Sequence, residues 1–361
     1  MHDRLPDADE PRGDDATRRH LLVALFRGVA ATTLLGSLAG CGGGGGGDPP
    51  APAPEPPGPP AAPSPSPICA IAAQTTVPTP VGYDADRLAA FDRLNELRRA
   101  AGLGLLAQSA SLDRAAQAHA EWIVANDSFT HEETAGTAGF TGTQWWLRAE
   151  ASGYVPVEGS EGIVGGVHGA RGIDVLVNGV YHRAGLLAFE PVDVGIGWAA
   201  GAGASVAMPL VVDITSPATD AMRGQGQSAQ PRIDGVSTWP ADGATGVPLR
   251  LGQEFPNPVP SQDVLTLGTP ASIGVDELTT LSVDSFVMSD AATGVSVPCQ
   301  LVTSASDPNL LLRQSFVALV PKSSLTPGTR YRVDFAGGGT GVLTGARRAI
   351  ARSWSFTTGT T

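Results

Sequence analysis

Lysine is almost missing from this chain: Lys322 stands alone, and 23 basic residues face 35 acidic ones for a formal charge of −12. Capture of phosphate backbones needs a basic stripe, so a nucleic-acid partner is excluded. Cysteine is scarce too, with three residues, Cys41, Cys69 and Cys299, so no disulfide framework can hold the fold together. No Gly-x-Ser-x-Gly elbow occurs, and no cysteine falls between residues 81 and 215. A hydrolase built there has no protein nucleophile in sight and needs a metal-bound water. The longest apolar run, near residues 20–39, is interrupted by Arg27 and is too short for a good membrane span. What abounds instead is glycine and proline, 46 and 30 of 361 residues, which excludes a single compact globule. Chain length then leaves room for about two domains plus unstructured sequence.

The N-terminal run ends in Leu38-Ala39-Gly40-Cys41, followed by Gly42 to Gly47. Small residues before a cysteine resemble a bacterial lipobox, which implies a signal peptide over 1–40 and a lipid on Cys41. Arg18-Arg19 also resembles a twin-arginine export signal. Residues 41–80 read as a Gly/Pro-rich tether, since such sequence favours extended chain and buries no core. The expected location is the cell envelope, attached to a membrane without crossing it. Gly42 after the cysteine favours the outer membrane where there is one. Cys69 and Cys299 are expected to remain thiols.

Residues 81–215 read as helices first and strands late, an α+β pattern. Asp84 caps a helix with Leu88, Phe91, Leu94 and Leu97 in helical spacing, and Ser109 caps a second. Thr143–Gly153 and Ile173–Val180 predict two more, and Val192–Trp198 and Val206–Ile214 predict strands. After a polar linker at 216–230, residues 231–358 show no helical period. Strands are expected at Ile233–Thr238, Pro248–Phe255, Ser285–Met288, Val295–Val302, Phe316–Val320, Arg330–Phe335 and Arg352–Thr357, with a variable loop at Pro256–Thr280. Alternation such as Tyr331/Val333/Phe335 against Arg332/Asp334 points to a β-sandwich.

Two resemblances sharpen this reading. Leu94-Asn95-Glu96-Leu97-Arg98, Leu112…Ala116…His119-Ala120, Phe129-Thr130-His131, Arg148-Ala149, Gly153-Tyr154, Glu161-Gly162-Ile163, Tyr181-His182-Arg183 and Val194-Gly195-Ile196-Gly197 resemble, in order, bacterial members of the CAP superfamily. This is the SCP-domain family of cysteine-rich secretory proteins, antigen 5 and pathogenesis-related proteins. The resemblance implies a three-layer α-β-α sandwich and a cleft holding His131, Glu161 and His182, with Zn²⁺ on the two histidines. Two imidazoles and a carboxylate make a sensible zinc set with a position left for water. The chain departs from the family pattern at Gly162, where asparagine is usual, at Val180-Tyr181, and in lacking a second glutamate with motif support; Asp174 and Glu158 have none. His119 reads as a core histidine and His168 as a loop residue. Trp145 and Trp146 either rim a lipid groove or pack inward. The phrases Pro240–Pro248, Leu325–Val333 and Trp354–Thr358 resemble a bacterial Ig-like domain, which implies a spacer or adhesive module.

The expected function is noncatalytic binding of a lipid, another small apolar ligand, or an envelope component at the CAP cleft. The alternatives are a metal-dependent hydrolase of envelope peptides or esters, and an adhesion or scaffold protein.

Overall fold

A computed structural model describes residues 73–201, 208–217, 235–252 and 254–360. The expected signal peptide over 1–40, the expected lipid attachment at Cys41, Cys69, most of the expected tether and nearly all of the expected linker lie outside these residues.

The first part begins with α1, Ala85–Ala100, whose N-cap Asp84 accepts a hydrogen bond from the Arg87 amide. A two-residue strand β1 (Ala107–Gln108) follows, then α2, Ala110–Asn126, capped by Ser109. Next come α3 (Trp145–Ala151), β2 (Pro156–Val164), α4 (Gly169–Asn178), α5 (Val180–Leu186), β3 (Asp193–Trp198) and β4 (Leu210–Pro217). The sheet order is β1-β3-β4-β2; β1 runs parallel to β3 and the other pairs are antiparallel. Side chains alternate along each strand, so each face of the sheet takes its own helices. Val194, Ile196, Leu210, Val212 and Ile214 pack against α1 and α4. Val211 and Ile163 pack against α2. The Val-Gly-Ile-Gly step now has a cause. A Cβ on Gly195 would stand 2.2 Å from the Leu112 backbone, and one on Gly197 2.2 Å from the Gln117 nitrogen. Only glycines let α2 lie this close to β3.

The second part is all-β. Strands β5 (Ser237–Trp239), β6 (Ala271–Gly274), β8 (Cys299–Val302) and β9 (Phe316–Pro321) form one sheet in the order β5-β6-β9-β8. Strands β7 (Thr279–Asp290), β10 (Arg330–Gly341) and β11 (Arg347–Thr357) form the other, in the order β11-β10-β7. Ile273, Val317, Leu319, Phe286, Met288, Val333, Phe335 and Trp354 fill the space between them. Cys299 is a free thiol.

Three expectations fail here. Among the described residues of Pro248–Phe255 there is no strand, and residue 250 makes a single isolated bridge to Gly268. The stretch Pro256–Thr280 is not only loop, because it contains β6. The expected helix Ile173–Val180 breaks at Gly179, whose extended backbone (ψ 162°) separates α4 from α5.

The two parts share a core. Val180 and the half-buried Tyr181 and Ala184 pack with Leu251, Leu267, Phe316, Ala318 and Val320. Strand β9 is therefore buried on both faces: Val317 and Leu319 point into the sandwich, Phe316, Ala318 and Val320 toward α5. Polar contacts stitch the same junction. Arg183, fully buried, donates to the Val177 and Pro270 carbonyls at 2.7 and 2.8 Å. Burial pushes its guanidinium down to about 9, an effect the Glu254 charge partly offsets. Tyr181 donates to Asp307 at 2.6 Å, and Arg313 pairs with Glu158 at 3.1 Å.

Candidate functional site

Glu161 points from β2 toward α2 and α3, where it meets a chain of polar groups. Its Oε1 accepts from His131 Nδ1 at 2.8 Å, and its Oε2 accepts from the Arg148 guanidinium. Arg148 is itself fully buried on α3 and also donates to the carbonyls of His131 and Gly142 at 3.1 and 3.2 Å. Glu133, two residues beyond His131, accepts from the Thr141 and Gly142 amides at 2.6 and 3.2 Å. His119 sits between the carboxylates: Nδ1 is 3.0 Å from Glu133, Nε2 is 3.0 Å from the Thr130 carbonyl, and Glu161 is 3.9 Å away.

Nearby donors and positive charge keep the two glutamates ionised despite their burial. Burial pushes the Glu161 carboxyl upward. The His131 hydrogen bond and the charges of Arg148, His119 and His131 outweigh burial and hold it near about 2. Glu133 is likewise lowered against burial, by His119, the two backbone amides and Arg148. Asp213 is the exception. It lies directly across from Glu161 in the β2–β4 register, so both side chains share one sheet face. It is fully buried, and no N–H or hydroxyl group among the described residues donates to either oxygen. Burial, first, and the neighbouring Glu161 charge raise its carboxyl well above the ordinary value.

The sign of the pH effect follows. An acid with a raised folded pKa binds a proton that the unfolded chain has already lost. Its contribution therefore weakens stability as pH rises from about 3.9 toward the folded value, by up to about 1.4 kcal/mol per pH unit. Asp213→Asn, neutral at every pH, is expected to unfold at higher urea than the parent near about pH 8. Near about pH 4 this advantage should vanish. Equal urea midpoints at both pH values would show that Asp213 ionises freely.

The cleft residues do not all converge. His131 and Glu161 meet at 2.8 Å, with the His131 ring about half exposed at 52%. His182 lies on the opposite side of β2, where a Cβ on Gly162 would be 3.8 Å from its ring. Its Nδ1 faces Glu254, 3.4 Å away, from the all-β part. Among the described residues, no group of three or more His, Cys, Asp and Glu could hold a metal ion. The donors therefore do not fit a zinc site shared by His131 and His182. Asp174 and Glu158 are engaged elsewhere, Asp174 with Arg93 at 2.7 Å and Glu158 with Arg313. His168 stacks on Trp198 with ring centres 4.8 Å apart. Trp145 and Trp146 are both half-buried and meet edge-on at 6.0 Å. The Trp145 ring edge fills the space over Gly159, where a Cβ would stand 2.9 Å away.

The partners missed in the sequence are Glu133, Asp213 and Glu254. Glu133 stands two residues after the Phe-Thr-His step, a local signal, whereas Asp213 and Glu254 are placed only by strand register and by the junction.

Residues 91–200 match the family described as CAP, the cysteine-rich secretory protein family, and the chain carries a CAP (SCP) domain there. An extracellular protein containing an SCP domain from Bacillus anthracis str. Ames is 20% identical, with a TM-score of 0.30 over 35% of this chain and 39% of that one. An outer surface protein from Borrelia burgdorferi is 18% identical, with a TM-score of 0.32 over 37% of this chain and 93% of that one. No curated protein matches the chain.

Proposed function

We propose that this is an exported protein, anchored through a lipid on Cys41, whose CAP domain binds a small apolar ligand or an envelope component without turning it over. The all-β part, with its Ig-like phrases, serves as a partner module packed on the CAP domain. The observation that carries the reading is His131: its Nδ1 is fixed by the buried, ionised Glu161, which leaves Nε2 directed away from that anchor on a half-exposed ring. An imidazole held this way offers a polar contact of fixed orientation. Phe129 and Leu147, both exposed, and the half-buried Trp145 supply apolar surface from the loop before His131 and from α3. Such a combination suits a molecule with an apolar body and one hydrogen-bonding head.

Mass spectrometry of lipids copurifying with the protein names the ligand class, and titration of His131→Ala with that lipid tests the site. Affinity is expected to fall about ten-fold, the worth of roughly one oriented hydrogen bond. His182→Ala, on the far side of β2, is expected to leave it unchanged. Unchanged binding in His131→Ala removes this site.

A further inference from the structure

One stretch departs from the acidic character of the rest. From Phe335 to Thr361 the chain has no Asp or Glu and three arginines, Arg347, Arg348 and Arg352, within a protein of formal charge −12. Most of it is the β10–β11 hairpin. The register pairs Thr340 with Arg347 and Gly339 with Arg348. The two arginines thus occupy the first two positions below the turn, and being consecutive they leave the strand on opposite faces.

The turn carries two adjacent aliphatic side chains, Val342 and Leu343, 58% and 54% exposed. Every residue from 342 to 349 is exposed. The loop is tied down: Gly341 donates to the Ala346 carbonyl at 2.9 Å, Gly345 to Gly341 at 2.8 Å, and Val342 to Leu278 at 2.7 Å. Arg348 reaches the Gly235 carbonyl at 3.0 Å. The carboxylates just before Leu278 are engaged, Asp276 with Thr279 at 2.9 Å and Glu277 with Arg313 at 2.8 Å.

A fixed apolar apex with the exposed Arg347 one strand position below it matches the chemistry of a bilayer interface, while Arg348 stays engaged with the Gly235 carbonyl. Aliphatic tips sink below the headgroups while the Arg347 stem reaches back to anionic phosphates. Nucleic acid fits poorly, since an aliphatic apex has nothing to gain from a phosphate backbone and the whole chain is acidic. We propose that this hairpin tip docks the all-β part on anionic lipid headgroups. The proposal rests on the lipid-anchored reading above, because a single shallow hairpin needs an anchor to hold it at the surface.

The test uses the full chain with Cys41→Ser, which carries no acyl group, sedimented with phosphatidylcholine vesicles with or without about one quarter phosphatidylglycerol. Residues 1–40 are common to every variant, so their contribution cancels in the comparison. More protein should sediment with the anionic vesicles. Val342→Ser with Leu343→Ser is expected to lower the partition coefficient about ten-fold. Arg347→Gln should lower it about five-fold on anionic vesicles and leave it unchanged on neutral ones. Equal binding to both vesicle types, or no change in either tip variant, overturns the proposal. The anchor reading fails separately, if the mass of the mature wild-type chain shows no acyl group on Cys41.

Discussion

Arg148→Met is expected to lower stability by about 3–5 kcal/mol, the range seen when one partner of a buried ion pair is removed. The cause lies in what stays behind. Glu161 loses the guanidinium on its Oε2, and Glu133 loses a positive charge 3.8 Å from its Oε1, both in positions closed to water. The carbonyls of His131 and Gly142 lose a donor as well. Urea unfolding monitored by tryptophan fluorescence measures the loss. The double variant Arg148→Met with Glu161→Gln separates charge from packing. If stranded charge dominates, the double change costs less than the two single changes together. Additive losses would mean that Arg148 acts mainly by filling space.

The acid limb of the stability curve should change with it. Glu161 has a folded pKa of about 2, below the ordinary value of 4.5. A depressed acid contributes stability that is full above its unfolded pKa and disappears as pH falls through the folded one. The parent chain therefore loses this contribution between about pH 4.5 and about pH 2. In Arg148→Met the window should narrow from its lower end.

Local signals made the CAP domain readable. Asp84 and Ser109 announce helix starts because a side-chain oxygen before an apolar period can satisfy free amides, and both act as caps. Glycines at 195 and 197 mark the strand that a helix backbone approaches most closely. The His131–Glu161 pair rests on two short steps of sequence thirty residues apart, and strand β2 carries one of them to the other. His182 lies on the other face of β2, which sequence order cannot tell, because it does not say which face of an edge strand a helix covers. The junction did leave a trace. Phe316-Val317-Ala318-Leu319-Val320 has no polar alternation, so a strand there must be covered on both sides. One cover is the opposite sheet and the other is α5. Nothing comparable marks Glu254, a single carboxylate in a stretch whose apolar residues suggested a strand.

Glu254→Ala is expected to lower stability by about 2–4 kcal/mol, because two buried donors then lack an acceptor. Glu254 is almost fully buried, and its carboxylate accepts from the Val180 amide at 2.7 Å and the Tyr181 amide at 2.8 Å. Helix α5 has no cap of its own, since its N-cap is Gly179. A Cβ on Gly179 would lie 2.5 Å from Glu254 Oε1, so the glycine makes room for the acid that replaces the cap. The helix start thus depends on a residue some seventy positions away in the all-β part. Removing that residue should therefore loosen the junction, where α5 shares a core with β9. Hydrogen exchange gives the local readout: the Val180 and Tyr181 amides should gain at least about ten-fold more in exchange rate than the α2 amides, which speed up only in step with the loss of global stability. Glu254→Gln keeps the shape and one acceptor oxygen, and should fall between parent and alanine. His182 also loses its carboxylate partner in these variants, yet ligand affinity at His131 should hold, because β2 separates the two imidazoles. A loss of affinity in Glu254→Ala with α2 still protected would mean that the two faces communicate through β2, and that the second module takes part in recognition.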